Sequence, residues 1–237
     1  MADDSNEPVE KLVDQFPEAT GADLAYSISK AGLASIPVIG NLLGEVYGLF
    51  VASPVQENMK AFLITLAEVV DLLRANGVTK EDLQNNGFFR DAVTQAVKIS
   101  ATSRQESKRD MLRNALLNIA LNPSADEDQI QLFLQMIETM TPTQIALLNY
   151  FRNPHKRLAE VFDSTRVAMG LPLDQGIYGV MPHLSSKPDL VKNLILDLYN
   201  RGLIPFSPKN NVLESTTITN TGIQFLNFVL TNPLEKA

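Results

Sequence analysis

Two histidines and no cysteine are what this 237-residue chain offers to nucleophilic, acid–base or metal chemistry. Histidine is the group that titrates near neutral pH and the commonest metal ligand, so its placing decides most such readings. His155 stands beside Lys156-Arg157 and His183 follows Met181-Pro182, and neither has a companion ligand at helical spacing. Both read as surface or packing residues. Asp126-Glu127-Asp128 has too few spaced oxygens and no glycine turn for a calcium loop, and three acids there suit a helix N-terminus instead. Gly40, Gly44 and Gly48 lack the Lys-Ser/Thr pair of a phosphate loop. Arg104, Glu106, Lys108, Arg109, Asp110 and Arg113 spread their charges around a helix, as a solvated surface does. The absence of cysteine removes thiol catalysis, disulfides, zinc ribbons and iron–sulfur ligation. The expectation is a protein that is not an enzyme and that uses no cofactor and no metal.

Composition points the same way. With 45% hydrophobic and 20% charged residues the chain can bury a core, as one large or two small domains. The net charge of −7 is unevenly placed: residues 1–140 carry 11 basic against 20 acidic residues, residues 141–237 carry 9 against 7. Only the second part could sit against a phosphate backbone. The first twenty residues are acidic and lack the basic start and apolar core of a signal peptide, so a cytoplasmic, bacterial setting is expected.

The elements that must position these residues are helices. Val9, Leu12, Val13 and Phe16 recur at helical spacing within an acidic N-terminal segment, residues 1–19. Met59, Phe62, Leu63, Leu66, Val69, Val70 and Leu73 form one apolar stripe that stops at Asn76-Gly77. Thr79 and Asp82 open the next helix as a capping box, and its face continues through Phe89, Val93, Ala96 and Val97. A helix through Met111, Leu112, Ala115, Leu116 and Ile119 follows, then one capped by Ser124 that bears Ile130, Phe133, Met136, Ile137 and Met140. Residues 20–140 thus predict a bundle of short-connected helices.

Within that bundle, residues 31–55 hold a single charge, Glu45. On a helical wheel Gly40, Gly44, Gly48 and Ala52 drift by only about 40° per step and form a ridge of small residues opposite a broad apolar face. Such ridges let helix backbones approach closely, in lipid above all. The stretch between Pro37 and Pro54 is short for a bilayer, and Glu45 near its middle would cost roughly 2.5–3.5 kcal/mol there. The readings are a buried packing helix or one released against a membrane, with the acidic segment 7–16 as its mask.

A boundary falls near Thr141, where Thr141-Pro142-Thr143-Gln144 combines an N-cap, a proline in the first turn and a capping-box partner. Helices follow through Ile145 to Phe151, through Leu158, Val161, Phe162 and Met169, and from about Ser186 to Asn200-Arg201-Gly202. Leu203-Ile204, a loop tip at Ser207 to Asn211, the Thr/Ile-rich run Val212–Thr219 and a last helix from Asn220 give the order of a winged helix, over residues 141–237. Lys187, Lys192, Asn193 and Arg201 on or beside its third helix, with Lys209 at the wing tip, are the candidate nucleic-acid contacts. Asp189 and Asp197 offset them in part.

The layout resembles the bacterial proteins of the abortive-infection alpha type. Leu112-Arg113-Asn114-Ala115-Leu116-Leu117-Asn118, the stretch Thr141 to Tyr150 and the stretch Thr219 to Phe228 carry the likeness. It implies a phage-defence setting and transfers no catalytic residue. The fold expected is mainly α: a helical bundle followed by a winged-helix-like domain with a small β-hairpin. The function expected is interaction, with a protein partner or a second copy, and contact with a membrane on activation. A DNA-binding regulator is the alternative.

Overall fold

The computed structural model describes residues 53–163, 171–205 and 217–236. Residues 1–19, the glycine ridge with Gly40, Gly44, Glu45, Gly48 and Ala52, and Lys209 at the wing tip lie outside them. The described residues are mainly helical and contain no strand. They divide into two compact units, Met1–Glu138 with Val229–Ala237, and Thr139–Phe228.

In the first unit, α1 (Ser53–Ala75), α2 (Lys80–Asn85), α3 (Gly87–Thr102), α4 (Glu106–Leu121) and α5 (Glu127–Thr139) follow one another with short connections. The α1 stripe is the core: Phe62, Leu66, Val69, Val70 and Leu73 are each at most 1% exposed. Each such side chain contributes about 1.5–3 kcal/mol by leaving water. α1, α3 and α4 pack on one another, and Ala92, Ala96 and Ala115 are the fully buried small residues that admit their neighbours.

Helix ends are set by local chemistry. At the α1 stop, Gly77 N–H donates to Arg74 O (3.1 Å) and Val78 N–H to Leu73 O (3.0 Å), with Gly77 at φ +84°. This is a Schellman closure, for which glycine is the residue without a Cβ penalty. Thr79 and Asp82 close α2's capping box reciprocally, at 2.8 and 3.1 Å. The two N–H and O–H bonds from Thr79 hold the Asp82 carboxyl below its ordinary range.

Two expectations need correction here. The helix opened at Thr79 does not run on through Phe89: it breaks at Asn86, whose N–H ends α2 on Asp82 O (3.0 Å) and whose side chain starts α3 by accepting from Phe89 N–H (2.9 Å). The cap of α5 is Asp126, which accepts from Gln129 N–H (3.1 Å), rather than Ser124. A carboxylate two residues nearer the first helical turn competes better for that donor.

The asparagines of α4 form a ladder one turn apart. Asn122 Nδ2 donates to Asn118 O and Asn118 Nδ2 to Asn114 O, both at 2.9 Å. Asn114 Nδ2 also reaches Val229 O (3.0 Å) and Asn118 Nδ2 reaches Thr231 O (3.4 Å), so the segment that returns to this unit is held by side-chain amides. A 3-10 turn, Pro233–Lys236, then packs on α4. Lys108 at the other end of α4 donates to Glu138 O (2.7 Å), satisfying a carbonyl at the end of α5. Burial lowers the Lys108 pKa, and the Glu138 charge opposes that shift.

In the second unit the elements are α6 (Pro142–Arg152), α7 (Pro154–Ala159), α8 (Leu173–Val180), a 3-10 turn (Pro182–Leu184), α9 (Pro188–Asn200) and α10 (Asn220–Leu230), whose last two residues belong to the first unit. The Thr141–Gln144 capping box opens α6, with Thr141 N–H on Gln144 Oε1 (2.8 Å). The helix expected through Leu158 to Met169 ends at Ala159 in the structure, and Met169 lies outside the described residues. α8 has no counterpart in the sequence reading. Its Gly176 sits against Tyr150, whose hydroxyl lies 2.7 Å from where a Cβ would be, and Gly179 sits against the Phe162 ring. Tyr150 is 2% exposed and its hydroxyl has no hydrogen-bond partner among the described residues. Burial pushes its pKa up to about 12.

The β-hairpin expected across 203–219 is not seen. Its tip and most of its second limb, residues 206–216, lie outside the described residues, and 203–205 and 217–219 carry no strand. One backbone pairing links them, Thr219 N–H to Leu203 O at 3.0 Å. Pro205 has no N–H to donate to a further backbone pairing, and the Thr217 hydroxyl donates to Phe151 O.

Candidate interaction face of the second unit

α9 is positioned by caps at both ends. Pro188 occupies the first turn, where a missing N–H costs nothing. At the other end Gly202, at φ +68°, donates to Tyr199 O (2.8 Å) and Leu203 N–H to Leu198 O (3.0 Å), a second Schellman closure. Val191, Leu194, Ile195 and Leu198 face inward and are buried. The opposite side carries Lys192, Asn193, Leu196, Tyr199 and Asn200, all exposed. Leu190 is 45% exposed, Leu196 40% and Tyr199 42%. Leu196 and Tyr199, one turn apart, leave two large apolar side chains in water on this face, while Leu190 lies on the opposite flank of the thirteen-residue helix.

Its charges largely cancel. Lys192 Nζ lies 4.0 Å from Asp189 Oδ1, with the two side chains 71% and 94% exposed, an ion pair worth between zero and about 1 kcal/mol. Arg201 is turned into the fold: Nε donates to Asp197 Oδ2 (2.7 Å) and a terminal nitrogen donates to Thr139 Oγ1 (3.0 Å). The same Asp197 oxygen accepts from Gln144 Nε2 at 2.5 Å, and Gln144 is 5% exposed. Gln144 therefore closes the α6 cap and grips α9 at once. The structure thus separates the expected contact set: Lys187, Lys192 and Asn193 are exposed, Lys209 lies outside the described residues, and Arg201 is engaged internally.

The chain on either side of residues 206–216 is tied together at Thr219. Thr219 Oγ1 donates toward Gly202 O (2.7 Å) and Leu203 O (3.1 Å) and accepts from Gly222 N–H (3.0 Å), so one hydroxyl both caps α10 and fixes the two limbs. Gly222 is obligatory in this arrangement, since a Cβ there would collide with Leu203 O and lie 2.7 Å from Ile218 Cγ1.

The remaining candidates gather no site. His155 and His183 are exposed, on α7 and on the 3-10 turn before α9. Arg157 beside His155 pairs with Glu160 at 3.6 Å. Among the described residues no three His, Cys, Asp or Glu side chains come together as a metal site would need. Among the same residues no helix is long and apolar enough to cross a membrane. The sequence reading missed the exposed Leu190, Leu196 and Tyr199, because their type predicts burial and only the packing of α9 shows them outside. No protein-family model matches the chain, nor does any curated protein or solved structure.

Proposed function

We propose that this chain is a non-enzymatic interaction protein that docks a protein partner, in the first place another copy of itself, on the outward face of α9. One observation carries the reading: Leu196 and Tyr199, one turn apart on the outward face, are exposed on a helix whose formal charges are mostly paired. A protein contact gains from burying such side chains, with aromatic residues as the favoured anchors. A duplex gains from unpaired cations aimed at phosphates, and here Arg201 is withdrawn and Lys192 is offset. The test is the sedimentation of the full chain over a concentration series. Association lost in the double variant Leu196→Ser, Tyr199→Ser, with helicity unchanged, supports the reading. Association unchanged in that variant overturns self-docking on this face.

The DNA-binding alternative is favoured by the end of the second unit, where α8, a 3-10 turn and α9 precede the Leu203–Thr219 pairing and then α10, although α7 stands between α6 and α8. That order is the one a winged helix follows, and we take the unit as winged-helix-like on this ground. Duplex retention by the full chain that falls steeply with salt, and drops in Lys187→Ala, Lys192→Ala, would promote the alternative. A phage-defence setting with a membrane-active glycine helix rests on the likeness to abortive-infection alpha-type proteins alone. Leakage of anionic liposomes by the full chain, abolished by Gly44→Leu, is its measurement, and intact liposomes would remove it.

A further inference from the structure

We infer that the first unit holds a cleft for a small organic cation, an alkylammonium or guanidinium group on an apolar stem. The cleft measures about 700 Å3 and is open to solvent, where the α1 stop, α2, the first turn of α3 and the α4–α5 connection meet. Helix ends leave short polar side chains there, and the supply of acceptors exceeds what the fold uses. Glu127 has no hydrogen bond or ion pair among the described residues. Both bonds from Thr79 go to Asp82 Oδ2, leaving Oδ1 open. Asn76 engages only its Nδ2, on Leu72 O at 2.8 Å, and keeps its oxygen. The half-buried Phe88, with Val78 and Pro123, supplies the apolar part of the lining for a methylene stem, over the buried Leu83.

Among the described side chains no Lys, Arg or His lines the cleft. Arg90 approaches its edge, with a terminal nitrogen 4.0 Å from where a Cβ on Gly87 would stand. The two carboxylates in the lining, Asp82 and Glu127, make the cleft wall acidic. The α3 N-terminus would favour an anion, but Asn86 already occupies its Phe89 N–H. A bare divalent ion is a poor fit, because two carboxylates make no cluster of three ligands among the described residues.

The experiment is a titration of the isotope-labelled full chain with spermidine and with agmatine, followed by amide NMR, and 1,5-pentanediol as the uncharged control. Saturating shifts at Gly77, Asn85, Asn86 and Gly87 are expected with either amine. Glu127→Gln should weaken binding by roughly threefold or more, the size of a partly exposed ion pair, and added salt should weaken it further. Asp82→Asn, which keeps an acceptor for the Thr79 cap, should act in the same direction. Shifts that do not saturate, that pentanediol reproduces, or that survive Glu127→Gln in a chain of unchanged helicity overturn the proposal.

Discussion

α4 and α9 are helices of comparable length from the two units, and they treat their polar and apolar side chains in opposite ways. α4 buries Met111, Leu112, Ala115, Leu116, Leu117 and Ile119, and on its remaining surface Asn114, Asn118 and Lys108 are tied to carbonyl groups of its own unit. α9 buries four residues and leaves Leu190, Leu196 and Tyr199 in water. The charge balance differs too: residues 139–228 hold 8 basic and 6 acidic residues, the rest of the chain 12 and 21. The difference teaches where to look for work. A helix whose side chains are engaged by its own unit serves that unit, and one with apolar side chains left over serves something else.

The comparison can be broken at its strongest point first. Gly222→Ala forces a Cβ against Leu203 O and Ile218, and should cost about 3 kcal/mol in urea unfolding, the upper end of the usual overpacking range. A loss below about 1 kcal/mol would mean that the loop base yields and does not fix the end of α9. Next comes Asn114→Ala with Asn118→Ala, expected to lower stability by about 1–3 kcal/mol because buried carbonyl groups lose their donors. No loss would show that α4's polar edge is as idle as α9's.

Tyr150→Phe should raise stability by about 1 kcal/mol, since it removes a buried hydroxyl that has no partner among the described residues. The wild type should also weaken in alkali where the variant does not. With the folded pKa raised to about 12 above the ordinary 10.0, the stabilisation is whole below pH 10 and is lost as pH rises toward 12. Superposable alkaline unfolding curves of the two proteins would refute this. The smallest effect is expected for Leu196→Ser with Tyr199→Ser, within about 0.5 kcal/mol, because the side chains are already solvated. A loss above about 2 kcal/mol would put them in the core and dissolve the contrast with α4.

What the sequence conveyed was mostly short-range. The boxes Thr79–Asp82 and Thr141–Gln144 and the glycine stop after Asn76 are closed by residues within a turn of one another, so pattern alone reveals them. α8 carries two residues of low helix propensity, Gly176 and Gly179, and what they do, making room for Tyr150 and Phe162, depends on residues distant in sequence. The internal bonds of Arg201 were hidden for the same kind of reason. Its partner Asp197 is near in sequence, but the Gln144 that holds Asp197 is 53 residues away, and that bond is invisible to spacing. The outward apolar residues of α9 were unreadable because apolar periodicity cannot say which of several apolar positions a neighbouring element will cover.

The asparagine ladder has a consequence in time. Residues 229–231, which Asn114 and Asn118 hold, are translated after the whole of the second unit. At about 5–20 residues per second, α1 to α5 wait several seconds with one face of α4 open before the piece that covers it arrives. A chain broken anywhere within 139–228 therefore loses the second unit and leaves the first unfinished as well.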